Sequence, residues 1–134
     1  MGVFLSPVLL DTHVVYWWSL DPDQLSTAAT EAIQSADELA IAAISWFELA
    51  WLASRDRIQM TLPRRAWLAG LSEDVRTVPL TPAIADTAAS LPPPFPRDPA
   101  DRLIYATAID RGWRLVTKDE RLRSHPHPTP ITIW

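Results

Sequence analysis

The chain has 134 residues, no cysteine and a net charge of −4. That length suits one domain, residues 1–134, whose core needs no staples; the lack of cysteine excludes a disulfide framework, a thiolate metal site and a cysteine nucleophile. The acidic balance excludes a broadly basic nucleic-acid coat, yet residues 1–96 carry 5 Lys+Arg against 11 Asp+Glu, and Arg97 onward 7 against 5, so the last third could still touch phosphates. No apolar run reaches the ~18 residues of a membrane span, and "MGVFLSPVLLDTH" lacks the basic start of a signal peptide. The expectation is a soluble cytoplasmic protein with no membrane partner.

In chain order, "PVLLD" (Pro7–Asp11) is a short apolar run ending in an acid and predicts a buried strand. "THVVYWWSL" predicts a short helix, stopped by the turn-forming "DPDQ". Ser26 is placed to cap a helix over "TAATEAIQSA". A second buried strand is expected near Leu39–Ala42, and "SWFELAWLASRDR" predicts a helix apolar on almost every side. "LPRRAWLAGL" predicts a further helix with Pro63 in its first turn. "VRTVPL" reads as a brief strand, and Thr81-Pro82 opens a helix expected to reach Leu91. "PPPFP" is neither helix nor inner strand and reads as a stiff connection. "DPADRLIYATAIDRG" predicts a helix stopped at Gly112. "WRLVTKD" reads as a strand ending in an acid, "DERLRS" as another short helix, and "TPITIW" as an edge strand. Strands that are continuous apolar runs, alternating with helices, predict a parallel sheet covered on both faces.

Ligands of open α/β sheets bind beyond the carboxyl ends of the strands, and four acids share that address. Asp11 ends the first strand, Glu48 lies in the first turn after the second, Asp101 opens the helix before the last major strand, and Asp119 ends that strand. Each has a plain structural reading. Asp98-Pro99-Ala100-Asp101 makes a capped helix start, and "SWFE" (Ser45–Glu48) matches a capping box. Glu48 and Asp101, however, align with apolar helix faces expected to pack inward, where a lone carboxylate is costly unless compensated. Four carboxylates gathered at one sheet edge repel each other unless a cation joins them. An oxygen-only donor set suits Mg²⁺ or Mn²⁺. His13, His125 and His127 assemble no rival zinc site, and there is no nucleophile elbow, P-loop or dinucleotide fingerprint.

The segments "LLDTHVVYWW", "ISWFELAW", "RDPADRLIYATA" and "LVTKDERL" together resemble the PIN-domain ribonucleases, specifically the VapC-type toxins of bacterial toxin–antitoxin pairs, over essentially the whole chain. The resemblance implies a three-layer α/β/α PIN-like fold with a mainly parallel central sheet, and Mg²⁺- or Mn²⁺-dependent endoribonuclease activity on single-stranded or looped RNA. It implies catalytic and metal-holding roles for Asp11, Glu48, Asp101 and Asp119, with Asp98 a cap or supporting group. Thr117 is a candidate to position a nucleotide phosphate or a metal water, and Arg102, Lys118 and Arg121 are candidates for phosphate contact. A VapB-type antitoxin is the implied partner, with Trp17, Trp18, Trp46 and Trp51 as the apolar patch for its helix; a homodimer is also implied.

Two rivals differ in class. A receiver-like phospho-accepting domain would explain Asp11 and the Thr117-Lys118 pair, but "VRTVPLTP" supplies no acceptor aspartate after the third strand. A PIN fold that binds RNA or a partner without cleavage would be suggested by loss of an acid, and none of the four is missing.

Overall fold

The computed structural model describes residues 6–55, 60–125 and 130–134. Five strands, β1 (Pro7–Leu10), β2 (Glu38–Ala42), β3 (Arg76–Val78), β4 (Arg114–Val116) and β5 (Thr132–Ile133), form one sheet in the order β3-β2-β1-β4-β5. All four pairings are parallel. Between them run α1 (Thr12–Leu20), a 3₁₀ turn (Pro22–Gln24), α2 (Thr27–Ser35), α3 (Ala43–Ser54), α4 (Arg64–Asp74), α5 (Pro82–Ala89), α6 (Pro99–Arg111) and α7 (Glu120–Arg123). The expected three-layer arrangement is present, with β5 at the sheet edge.

Strand alternation builds the two cores. Val8, Leu10, Ile41 and Val116 point to one face and meet Val14 and Val15 of α1, Ala29 and Ile33 of α2, Leu49 of α3 and Trp67 and Leu71 of α4. Leu9, Ala40, Ala42 and Leu115 point to the other and meet Ile84 and Ala88 of α5, Ile104, Tyr105 and Ala108 of α6 and Leu122 of α7. A strand buried on both faces must be apolar at every position, which is why the sequence shows runs and not alternation.

Caps place the helix starts. Asp11, Ser26, Thr81, Asp98 and Asp119 each accept a backbone N–H at the start of α1, α2, α5, α6 and α7. Gly112 ends α6 in the left-handed region at φ 68°, where a side chain would be strained. Three local expectations need correction. Ser45 does not open α3, which begins two residues earlier at Ala43 with Ala42 as an uncapped N-cap. Pro63 sits at the N-cap of α4 and not in its first turn. The helix expected to reach Leu91 stops at Ala89. The tail of "SWFELAWLASRDR" beyond Arg55, and His127, lie outside the described residues.

The sheet order reverses direction at β1: the chain goes from β1 to β2 on one side and later returns to β4 on the other. That switch point opens a crevice at the carboxyl ends of β1 and β4. The backbone N–H of Asp11, one residue past β1, donates to the Val116 carbonyl at 3.0 Å. The first acid is thereby fixed to the two central strands.

Candidate active site

The crevice is an open cleft of about 800 Å³ whose lining includes Asp11, Glu48, Asp98, Asp101 and Asp119. Four segments far apart in sequence deliver these acids: the ends of β1 and β4 and the starts of α3 and α6.

Asp11 and Glu48 are held by hydroxyls. The buried Thr117 Oγ1 donates to Asp11 Oδ2 at 2.7 Å, and the Thr12 amide donates to Oδ1 at 2.8 Å. Thr12 Oγ1 lies 2.6 Å from Glu48 Oε1 and 3.0 Å from Ser45 Oγ. A hydroxyl has one proton to give, so Thr12 donates to the carboxylate and Ser45 donates to Thr12. Thr117 also accepts the Asp119 amide at 3.1 Å. Burial is the main cause that pushes the Asp11 and Glu48 carboxyls above their ordinary range, against the pull of these hydrogen bonds.

Asp101 and Asp119 are held by a cation. Arg121 donates Nε to Asp119 Oδ1 at 3.1 Å, and Nη2 to Asp119 Oδ2 at 2.7 Å and to Asp101 Oδ2 at 3.0 Å. The Arg121 side chain is 62% exposed, and exposed pairs of this kind contribute about 0.2–1 kcal/mol. Hydrogen bonding from Arg121 lowers the Asp119 carboxyl. Desolvation, then the charges of Asp98, Asp11 and Asp119, raise Asp101 to about 7 in spite of Arg121. The acids therefore sense one another across the cleft.

Asp98 is exposed, and its Oδ1 accepts the amides of Ala100 at 2.8 Å and Asp101 at 3.2 Å. It orients the first turn of α6, which carries Asp101. Lys118 and Arg121 line the cleft. Arg102 does not point there. Its guanidinium donates to the carbonyls of Pro96, Ala88, Leu91 and Phe95, which corrects its expected role at phosphate. The segment it grips is rich in proline, which has no N–H to offer neighbouring carbonyls. Thr117 is fully buried against Asp11, so its hydroxyl steadies an acid and does not face a phosphate.

The four tryptophans expected to form one patch are dispersed. Trp17 lines the cleft and meets Trp134 at 5.9 Å and His13 at 5.8 Å. Trp18 lines a separate depression with Leu25 and Ile33. Trp46 donates its ring N–H to Thr77 Oγ1 at 2.8 Å. Trp51 stacks on Phe47, centroids 6.1 Å apart, beside a slot of about 290 Å³ lined by Thr12, His13, Glu48 and Leu52. Sequence reading missed Phe47, Arg123 and Trp134 at these surfaces, and the hydroxyl bridge of Thr12 and Ser45. A hydroxyl directly after the first-strand acid was the one local signal for Thr12.

A divalent cation fits the donor chemistry, because Asp11, Glu48, Asp101 and Asp119 offer oxygen ligands alone. In the arrangement described, no three His, Asp or Glu side chains among the described residues stand together as a ready ion cage. Arg121 turns Asp101 and Asp119 toward itself, and the two hydroxyls engage Asp11 and Glu48.

The family model described as PIN domain matches residues 8–128. The chain belongs to the PIN-domain family. This PIN domain is 65% identical over 130 residues to Ribonuclease VapC22 of Mycobacterium tuberculosis, covering 97% of the chain and 100% of that relative. Among solved structures, a toxin–antitoxin complex from Klebsiella pneumoniae is similar at TM-score 0.69 and 18% identity, covering 95% of this chain and 96% of that one. VapBC2 from Rickettsia felis, bound to a DNA fragment from their promoter, is similar at TM-score 0.66 and 16% identity, covering 90% and 93%. At such identities the two structures speak to the PIN fold alone.

Proposed function

We propose that this PIN domain is a VapC-type toxin endoribonuclease that hydrolyses single-stranded or looped RNA with the help of Mg²⁺ or Mn²⁺. The observation that carries the reading is the convergence of Asp11, Glu48, Asp101 and Asp119 on one cleft, in a chain 65% identical to a named VapC ribonuclease along its length. The same four acids are the proposed metal ligands. When bound, the ion polarises the phosphodiester and lowers the pKa of a water.

The protein's own groups do the rest. Thr117 and the Thr12 amide aim Asp11, and Thr12 with Ser45 aims Glu48. Glu48, raised in pKa and at the cleft wall, is placed to take the proton of the attacking water. Attack on phosphorus with loss of the 3′ oxygen leaves a 5′-phosphate and a 3′-hydroxyl. Lys118, Arg121 and Arg123 at the cleft rim supply positive charge for flanking phosphates.

A VapB-type antitoxin is the proposed partner. The stacked, exposed Phe47 and Trp51, next to an apolar slot that reaches Glu48, offer an apolar helix a seat beside the acids. The proposed site of action is the cytoplasm, where a toxin ribonuclease of this kind would meet RNA. Among the described residues no helix is long and apolar enough to cross a membrane.

Incubation of the purified protein with total RNA tests the enzyme reading. Cleavage should require Mg²⁺ or Mn²⁺, stop with EDTA, and fall roughly a hundredfold or more in Asp101→Asn. Undiminished cleavage by a folded Asp101→Asn protein would sink the site assignment.

A further inference from the structure

Six acids line the cleft, yet among the described residues one cation makes ion pairs with them. Arg121 spends three N–H contacts on Asp101 and Asp119. Among the described residues, Asp11 and Glu48, on the other wall, accept hydrogen bonds from an amide and hydroxyls, with His13 the nearby charge that acts on both. Hydroxyls orient a carboxylate and leave its charge in place, whereas a guanidinium cancels part of it. Arg121 therefore supplies the ion-paired positive charge of the cleft and places it between Asp101 and Asp119.

We propose that Arg121 is a resident counter-ion: it occupies the cation position between Asp101 and Asp119 in the metal-free protein and is displaced when a divalent ion binds. This rests on the ribonuclease reading of the same acids. Three features make displacement inexpensive. The side chain is 62% exposed. It stems from α7, a helix of four residues whose one buried side chain is Leu122. The polar contacts of the guanidinium are all with two carboxylates at the cleft wall among the described residues. Once released, the guanidinium remains at the rim beside Lys118 and Arg123, where the substrate phosphates arrive. Counter-ion and phosphate contact would then be two positions of one side chain, exchanged by metal loading.

Titration calorimetry of the full chain with MgCl₂ and MnCl₂ tests this at low ionic strength, where the pairing is least screened. Arg121→Gln should bind either ion several-fold more tightly than wild type and gain more in Tm on metal addition. Arg121→Lys, which keeps the charge without the bidentate fork, should fall between. A residue that merely scaffolds Asp101 and Asp119 predicts the opposite sign, so weaker or unchanged affinity in Arg121→Gln overturns the proposal. In wild type, the hydrogen-bonded Nε–H resonance of Arg121 should move toward its free position as Mg²⁺ saturates; a resonance that stays put also overturns it. Wild type that binds metal and cleaves RNA while Arg121→Gln behaves identically removes this inference alone. Wild type that binds neither ion removes the ribonuclease reading with it.

Discussion

The two walls of the cleft hold their acids by different physics. On the β1–α3 side, Asp11 and Glu48 accept from buried or half-buried hydroxyls that belong to the core. On the α6–α7 side, Asp101 and Asp119 share one exposed guanidinium. The first wall is preset by folding, and burial there works against the charged form of its carboxyls. On the second, one guanidinium offsets part of the charge of both carboxylates, and the displacement proposed above would rearrange it. A cleft that gathers several acids gains from this split: one half keeps the geometry and the other limits the repulsion.

The largest test of that contrast is to strip the rigid wall. Thr117→Val keeps the shape but removes the donor to Asp11, and losses at groups supporting metal ligands run to about 10–100-fold in activity or metal affinity. A drop in metal affinity or in kcat of that order is expected. A urea melt should also show a loss of roughly 1–3 kcal/mol, because Asp11 is buried. A variant indistinguishable from wild type would show that the hydroxyl does not brace the wall.

Next in size is a pH effect on the compensated wall. Asp101 titrates at about 7 in the fold against an ordinary 3.8, so the folded protein holds that proton more tightly than the unfolded chain. The contribution of Asp101 to stability should therefore be fully present below the unfolded value and be lost as pH rises through about 7. Asp11 and Glu48 shift in the same direction. Asp119, lowered by Arg121, adds stability above its unfolded value and loses it only in acid. Thermal melts in EDTA should give a lower Tm at pH 7.5 than at pH 5.5, and Asp101→Asn should reduce the slope. A Tm that climbs across this range would contradict the assignment.

The smallest effect is expected at Asp98, which shapes the second wall by capping α6. Asn caps about as well as Asp, so Asp98→Asn should cost only a few tenths of a kcal/mol, while Asp98→Ala should cost about 1 kcal/mol. If Asp98→Asn abolishes cleavage and Asp101→Asn does not, the roles of the two acids are exchanged.

What could be read in the sequence follows the range of the interactions. The start of α6 was legible because Asp98, Pro99 and Gly112 act on neighbouring backbone. The four acids were legible because strand ends and helix starts are local features, and the parallel sheet then gathers them. Ser45 misled because S-x-x-E is a local pattern, whereas β2 runs into α3 at Ala43 with no breaker between them, so the serine becomes an interior group facing Thr12. Arg102 was expected at phosphate because its actual partners, carbonyls from the end of α5 and the proline-rich segment, lie up to 14 residues away. The dispersal of Trp17, Trp18, Trp46 and Trp51 depends on how two helices are oriented on the sheet, and no spacing within those helices records it.

The amide of Asp11 has a consequence for hydrogen–deuterium exchange. Its proton is committed to Val116 across the middle of the sheet, so deuterium can enter only when β1 and β4 part, which is close to global opening. The amide of Asp101 is covered by a single exposed carboxylate, that of Asp98, and exchanges whenever the first turn of α6 frays. Two acids that meet in one cleft thus report opposite ends of the protein's opening spectrum, and the protection at Asp11 measures the integrity of the entire sheet.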